Sequence, residues 1–269
     1  MSETYTLTQR SSPLLLSQPH VGLEIPADIM SRLTANGSLK ADTDWHIDRL
    51  YKDIAKSLDA TVLTATHSRY VIDLNRDPSG TSLYPGQSVT ELCPTSVFDD
   101  SPLYKDNNTP DETEIKNRRV NYWQPYHDAL LAEINRIREI HGFALLFDCH
   151  SIRSVLPRFF EGRLPTLNLG TGNGSATVPE LEQVLEKIAA ESAYSHALNG
   201  RFKGGFITRN YGNPNNDVHA VQLELAQEDY MEEIPPFSYQ EEKAHQLQPT
   251  LKKLLQAMLD WANETYRPE

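Results

Sequence analysis

Cysteine is scarce in this chain: its 269 residues hold two, Cys93 and Cys149. Two thiols build no disulfide framework, and the pattern fits a reducing compartment. Long apolar runs are missing as well; none approaches the roughly 20 residues a membrane helix needs. The opening stretch MSETYTLTQRSSPLLLS has an acid at Glu3 and no sustained apolar core, unlike a secretory signal. A cytoplasmic location is therefore expected, with no membrane role. Basic charge is in deficit: 25 Lys and Arg face 37 Asp and Glu, a net charge of −12. Such a chain repels a phosphate backbone and shows no basic patch, so no nucleic-acid partner is expected. A HExxH helix, a GxxxxGK[ST] loop and a GxSxG elbow are all absent. So are internal repeats and low-complexity tracts.

What is present describes a folded α/β chain. Apolar residues make up 39% of the sequence, enough for a core. Short apolar runs predict strands at Leu14–Gln18, Ala60–Ala65, Arg69–Leu74, Phe143–Asp148, Gly204–Thr208 and His219–Leu225. Helical spacing predicts Asp48–Leu58, Glu112–His141 with a break at Pro125, 179–198, and Gln240–Tyr266. Gly142 is a candidate helix cap. The run 170–174, rich in glycine, lacks a clear preceding strand and reads as a loop; 77–110 reads as an irregular excursion that could form a lid. The alternation predicts one α/β domain over residues 1–269, a three-layer sandwich with a mixed, mostly parallel central sheet. Ligands of such sheets bind at the carboxyl ends of strands.

Four polar clusters fall at those ends. In Ser17-Gln18-Pro19-His20 a histidine follows an apolar strand, with Glu24 four residues on. It suits a metal ligand, or a loop histidine bonded to backbone. Asp42, Asp44, His46 and Asp48 crowd a helix start, where capping accounts for some of the acids but not for the histidine. In Phe147-Asp148-Cys149-His150, alternation puts Asp148 and His150 on one face and Cys149 on the other. That argues against a Cys-His nucleophile and for His150 as a ligand supported by Asp148. Glu224 is embedded in the apolar strand Val221–Leu225, where burial raises a carboxyl towards the range of a general base. A structural ion pair is the other reading. Arg69, Asn75 and Arg76 surround a further predicted strand end, and a guanidinium fork binds carboxylates through paired bonds. Arg201, Lys203 and Arg209 add cations beside Gly204-Gly205. Together these residues describe a zinc-activated water, a base and an anion clamp.

The strings SRYVIDLNR (68–76), PHVG (19–22), DTDWH (42–46), LFDCHS (146–151) and VQLEL (221–225) resemble the N-formylglutamate amidohydrolase family. LNGRFKGGFITRNYG (198–212) and HAVQLELAQEDYMEE (219–233) resemble its deformylase branch, which acts in histidine breakdown. The resemblance runs from about residue 12 to the C-terminal helix. It implies a fold like that of the zinc carboxypeptidases and aspartoacylases, and hydrolysis of N-formyl-L-glutamate to glutamate and formate. It implies a Zn²⁺ ion, or another divalent transition metal, held by His20 and His150, with Glu224 working on the water. Asn75 and Arg76 would hold a substrate carboxylate, Arg69 would polarise the scissile carbonyl, and Arg209 is the candidate for the second carboxylate. The chain departs from the superfamily's His-x-x-Glu pair, since Leu23 stands where the glutamate should be. The third ligand must be Glu24, Asp44 or His46, and the DTDWH string favours Asp44. Neighbouring readings are a zinc amidohydrolase for another N-acyl amino acid, of the N-acetylaspartate or N-succinylglutamate type, and a non-catalytic binder of acidic amino acids.

Overall fold

The computed structural model describes residues 3–81 and 89–266. Its strands are β1 (Tyr5–Thr8), β2 (Leu14–Gln18), β3 (Thr61–Ala65), β4 (Ala144–Ile152), β5 (Leu167–Gly170), β6 (His196–Leu198) and β7 (Val218–Ala226). They form one sheet in the order β1-β3-β2-β4-β7-β5-β6. The pairs β2/β3, β2/β4, β4/β7 and β5/β6 are parallel, and β1/β3 and β5/β7 antiparallel. The sheet is therefore mixed and mostly parallel, as the alternation of elements led us to expect.

The helices are α1 (Ala27–Met30), α2 (Ala35–Ser38), α3 (Ile47–Ser57), α4 (Glu112–Arg118), α5 (Gln124–His141), α6 (Pro179–Ala190), α7 (Phe206–Tyr211) and α8 (Glu241–Thr265). Strand alternation sorts the sheet into two cores. Leu14, Leu16, Leu145, Phe147, Cys149, Leu223 and Leu225 pack with α3, α6 and α8. Leu15, Leu63, Ala144, Leu146 and Ala220 face the other way, towards α5 and Ile207 of α7. Helix α3 shows why the pattern works: its buried Ile47, Leu50, Tyr51, Ile54 and Ala55 recur at helical spacing and make one apolar stripe. No helix among the described residues is long and apolar enough to cross a membrane.

The break expected at Pro125 is a π turn, Arg119–Trp123, that ends just ahead of it. Proline has no N–H to return to a helix carbonyl, so the ladder is already interrupted there. Gly142 caps α5 with φ 82°, a left-handed conformation that glycine adopts without strain.

Several boundaries differ from expectation. Residues 69–74 form turns, not a strand: Val71 N–H bonds back to Ser68 O, and Asp73 Oδ1 accepts from Asn75 N. Their apolar side chains serve two cores, Tyr70 and Val71 in one and Ile72 in another, so they share no sheet face. Residues 204–208 are not a strand either; Phe206 begins α7, and side chains from two other segments take up the amide protons at its start. The helix expected over 179–198 ends at Ala190, and His196–Leu198 is β6. β5 does precede the glycine-rich 170–174 loop. β4 runs on to Ile152, which puts His150 inside a strand rather than after it. Within 77–110 the described residues hold no helix, and only isolated bridges such as Ser96↔Pro102. The lid reading falls partly on 82–88, outside the described residues.

Candidate metal centre

The site is built at the carboxyl ends of β2, β4 and β7, on the face towards α5 and α7. His20 lies just past β2. The Asp44 N–H donates to His20 O at 3.0 Å, which brings the turn before α3 onto the same spot. His150 lies on β4, and register pairs it with Glu224 on β7, as Asp148 pairs with Gln222. Parallel pairing thus converts sequence alternation into a patch of four polar side chains, while Cys149 turns into the opposite core.

His20, Asp44 and His150 are buried and offer one donor atom each, all within 4.8 Å of one another. His150 Nδ1 lies 3.0 Å, and His20 Nδ1 3.7 Å, from Asp44 Oδ2. Donors about 2.0–2.1 Å from a tetrahedral ion are separated by about 3.3 Å, between these two values. Each imidazole is backed from behind: His20 Nε2 donates to Asp73 Oδ1 at 2.8 Å, and His150 Nε2 to Asp148 Oδ2 at 2.9 Å. A carboxylate behind each ring fixes the tautomer and turns Nδ1 towards the centre, as second partners of metal-bound histidines do. His20 Nδ1 and Asp44 Oδ1 are buried without a hydrogen-bond partner, a costly state that a cation between them would relieve. The residues present therefore fit a divalent metal.

The electrostatics agree. Burial alone would push Asp44 upward, but the neighbouring His150 and His20 outweigh it and hold the carboxyl below its ordinary range. Burial likewise opposes charge on Asp73, and Arg69 and Arg76 overcome it. Burial works against a proton on His150, yet Asp148 and Asp44 draw it well above the usual histidine value. The pocket calls for positive charge, and a divalent ion can take the place of that proton.

Glu224 is the contrasting acid. Burial raises it to about 8, against the pull of His150 and with a push from Asp44. A cation alongside would draw it back towards ionisation at neutral pH. Gln222 Nε2 donates to Glu224 Oε2 at 3.3 Å, while its Oε1 accepts from Gly205 N at 2.7 Å. A Cβ on Gly205 would lie 2.3 Å from Asn75 Nδ2, so only glycine lets these segments meet.

His20, Arg69, Asn75, Arg76, His150 and Glu224 all line one cleft. Arg69 is buried, 2.6 Å from Asp73 Oδ2 and 3.7 Å from Asp44 Oδ1. Arg76 is half-buried, donates to Thr90 O and Oγ1, and reaches Asp73 at 3.7 Å. Asn75 is committed within the protein: its Oδ1 accepts from Ile207 N at 2.8 Å and its Nδ2 stands 3.0 Å from His150 Nε2. Arg209 is on α7, with Nε donating to Gly204 O, and is not part of the lining; Arg201 is. Of the three candidates for third ligand, Asp44 stands with the histidines. Glu24 is exposed and faces His67 at 3.8 Å, and His46 Nε2 donates to Phe237 O.

Five residues escaped the sequence reading in these roles. Asp73 backs His20, Gln222 contacts Glu224, and Phe98, Phe159 and Phe202 wall the cleft. Gln222 carried a usable signal, since it lies two residues before Glu224 on the same strand face. The phenylalanines carried none, because they come from separate loops.

Buried donors fit for a metal, a carboxyl raised by burial and a set of guanidiniums meet at the strand ends of an α/β sheet, and the family that matches the chain is one of amide-cleaving hydrolases. The chain belongs to the N-formylglutamate amidohydrolase family, whose model matches residues 12–231. It is 47% identical to the N-formylglutamate deformylase of Pseudomonas putida, over 99% of this chain and 100% of that one. It is 44% identical to the enzyme of the same name from Pseudomonas aeruginosa, again over 99% and 100%. Among solved structures, the N-formylglutamate amidohydrolase of Ralstonia eutropha JMP134 superposes with a TM-score of 0.81 at 26% identity, covering 97% of this chain and 99% of that one. A protein from Agrobacterium tumefaciens, at 19% identity and a TM-score of 0.72 over 97% and 96%, shares the fold.

Proposed function

We propose that this chain, working as one catalytic domain, hydrolyses N-formyl-L-glutamate to L-glutamate and formate. The step belongs to histidine degradation in the cytoplasm, and it uses a divalent transition metal, zinc in the first instance, on His20, Asp44 and His150. Relatives named for this activity match end to end at 44–47% identity. The observation that carries the reading is the pairing of His150 with Glu224 across β4 and β7, beside His20 and Asp44, in a cleft walled by arginines.

His20, Asp44 and His150 would hold the metal, which when bound would supply Lewis acidity for the formyl oxygen and for the attacking water. Glu224 accepts the proton of the attacking water as the new C–O bond forms, and then delivers it to the amide nitrogen as the tetrahedral adduct collapses and the C–N bond breaks. Gln222 holds one Glu224 oxygen and leaves the other for that transfer. Arg69 faces the developing oxyanion, its guanidinium kept in place by Asp73. Arg76 holds a substrate carboxylate. Asn75 braces the loop carrying Arg76 against α7, its Oδ1 accepting from Ile207 N. The net charge of −12 is no obstacle, because local cations govern the potential inside a cleft.

The test is formate release from N-formyl-L-glutamate, with N-acetyl-L-glutamate alongside, before and after chelation. Fast release from the formyl substrate, lost on chelation and restored by zinc, is expected. A metal-replete protein that releases no formate sinks the reading.

A further inference from the structure

We infer that Arg201 reads the distal carboxylate of the substrate and sets a preference for acidic N-formyl amino acids. The inference rests on the deformylase reading and deepens it. N-formyl-L-glutamate carries two carboxylates, one beside the scissile amide and one two methylenes further out. The cleft offers three guanidiniums, Arg69, Arg76 and Arg201. Arg69 and Arg76 come from one loop and share Asp73, at 2.6 and 3.7 Å. Arg69 is buried beside Asp44, where the formyl group must sit. Arg76 follows Asn75, which touches His150, so it is placed for the carboxylate nearest the amide.

Arg201 comes from the segment between β6 and α7. It is half-buried, whereas Arg69 is buried. Its guanidinium lies over the rings of Phe202 and Phe159, at 5.2 and 5.8 Å, and its Nε donates to Phe159 O. These contacts set the plane of the fork. The segment is tied on both sides: Asn199 N donates to Leu169 O at 2.7 Å, and Gly205 N to Gln222 Oε1 at 2.7 Å. Arg201 is therefore held ready, which lowers the ordering cost on binding. Phe98, Ile152, Phe159 and Phe202 form an apolar wall in the same cleft. A glutamate side chain can lay its methylenes on that wall and its carboxylate on Arg201. Arg209, the other cation of this stretch, is turned to Gly204 O outside the lining.

The experiment compares kcat/KM for N-formyl-L-glutamate and its uncharged isostere N-formyl-L-glutamine, in the wild type, Arg201→Met, Arg201→Lys and Arg209→Met. The wild type is expected to favour the diacid by about a hundredfold or more. Arg201→Met should remove most of that preference through KM for the diacid, leaving the glutamine analogue within about threefold. Arg201→Lys should keep part of it, since a point charge replaces a fork, and Arg209→Met should keep all of it. An undiminished preference in Arg201→Met, or an equal loss on both substrates, overturns the inference while the deformylase reading stands. No formate from either substrate with the metal-replete wild type removes that reading, and this inference with it.

Discussion

Two buried histidines only a few residues of chain apart in their contacts have opposite chemistry. His127, on α5, is stacked on Trp123 with centroids 3.6 Å apart, edge-on to Phe206, and parallel to Tyr211. Its Nε2 donates to Leu74 O at 2.8 Å, and its Nδ1 accepts from the Tyr211 hydroxyl at 2.8 Å. Burial among these neutral groups lowers it to about 4, so it stays uncharged. His150 is as deeply buried but is flanked by Asp44 and Asp148, and it is drawn well above the ordinary histidine range. Asn75 joins the two regions, since it follows Leu74 and stands 3.0 Å from His150. Burial alone makes a histidine a neutral strut. Burial with carboxylates makes it part of a cation site. The first nest braces the loop that the second one uses.

The sharpest way to separate the parts of the carboxylate nest is Glu224→Gln. It removes the base while leaving His20, Asp44 and His150 in place. A fall in kcat of about 10²–10⁴ is expected, with metal content unchanged; equal activity would remove Glu224 from the mechanism. Asp148→Asn tests whether the carboxylate behind His150 matters to the metal rather than to the fold. Metal affinity should weaken about 10- to 100-fold by chelator competition, and an unaltered affinity would make Asp148 a bystander. The smallest effect comes from the aromatic nest. As pH falls from about 6.5 to about 4, the unfolded chain protonates its histidine while folded His127 resists, so stability is lost across that window and levels off below it. His127→Gln should flatten the wild-type decline by up to about 1.4 kcal/mol per pH unit, read from denaturant melts. A parallel pair of curves would show that His127 is not held neutral.

The strand ends were legible because parallel strands broadcast themselves. Phe143–Phe147 is a continuous apolar run that leads into His150, and Val221, Leu223 and Leu225 alternate with Gln222 and Glu224; His150 and Glu224 came together once register was known. Asp44 could be favoured only by resemblance; geometry supports it through the Asp44 N–H bond to His20 O, a contact between segments. Arg69–Leu74 misled because Tyr70-Val71-Ile72 is an aromatic and β-branched run, as in a buried strand, while tertiary contacts send its side chains to separate cores. Phe206–Tyr211 misled in the same way: β-branched and aromatic residues favour strands, but Gln222 and Asn75 meet the amide protons that open a helix. Arg201 and Arg209 lie in one cationic stretch, and only the fold shows that Arg201 lines the cleft while Arg209 Nε donates to Gly204 O.

The proposed activity depends on a divalent ion held by His20, Asp44 and His150. The most direct measurement is metal content per chain in purified wild type and in His150→Ala, with formate release assayed on the same samples and folding checked by circular dichroism. One ion per wild-type chain, absent from a folded His150→Ala protein that has lost turnover, is the expected result. Full turnover by a wild-type protein stripped of metal would contradict it.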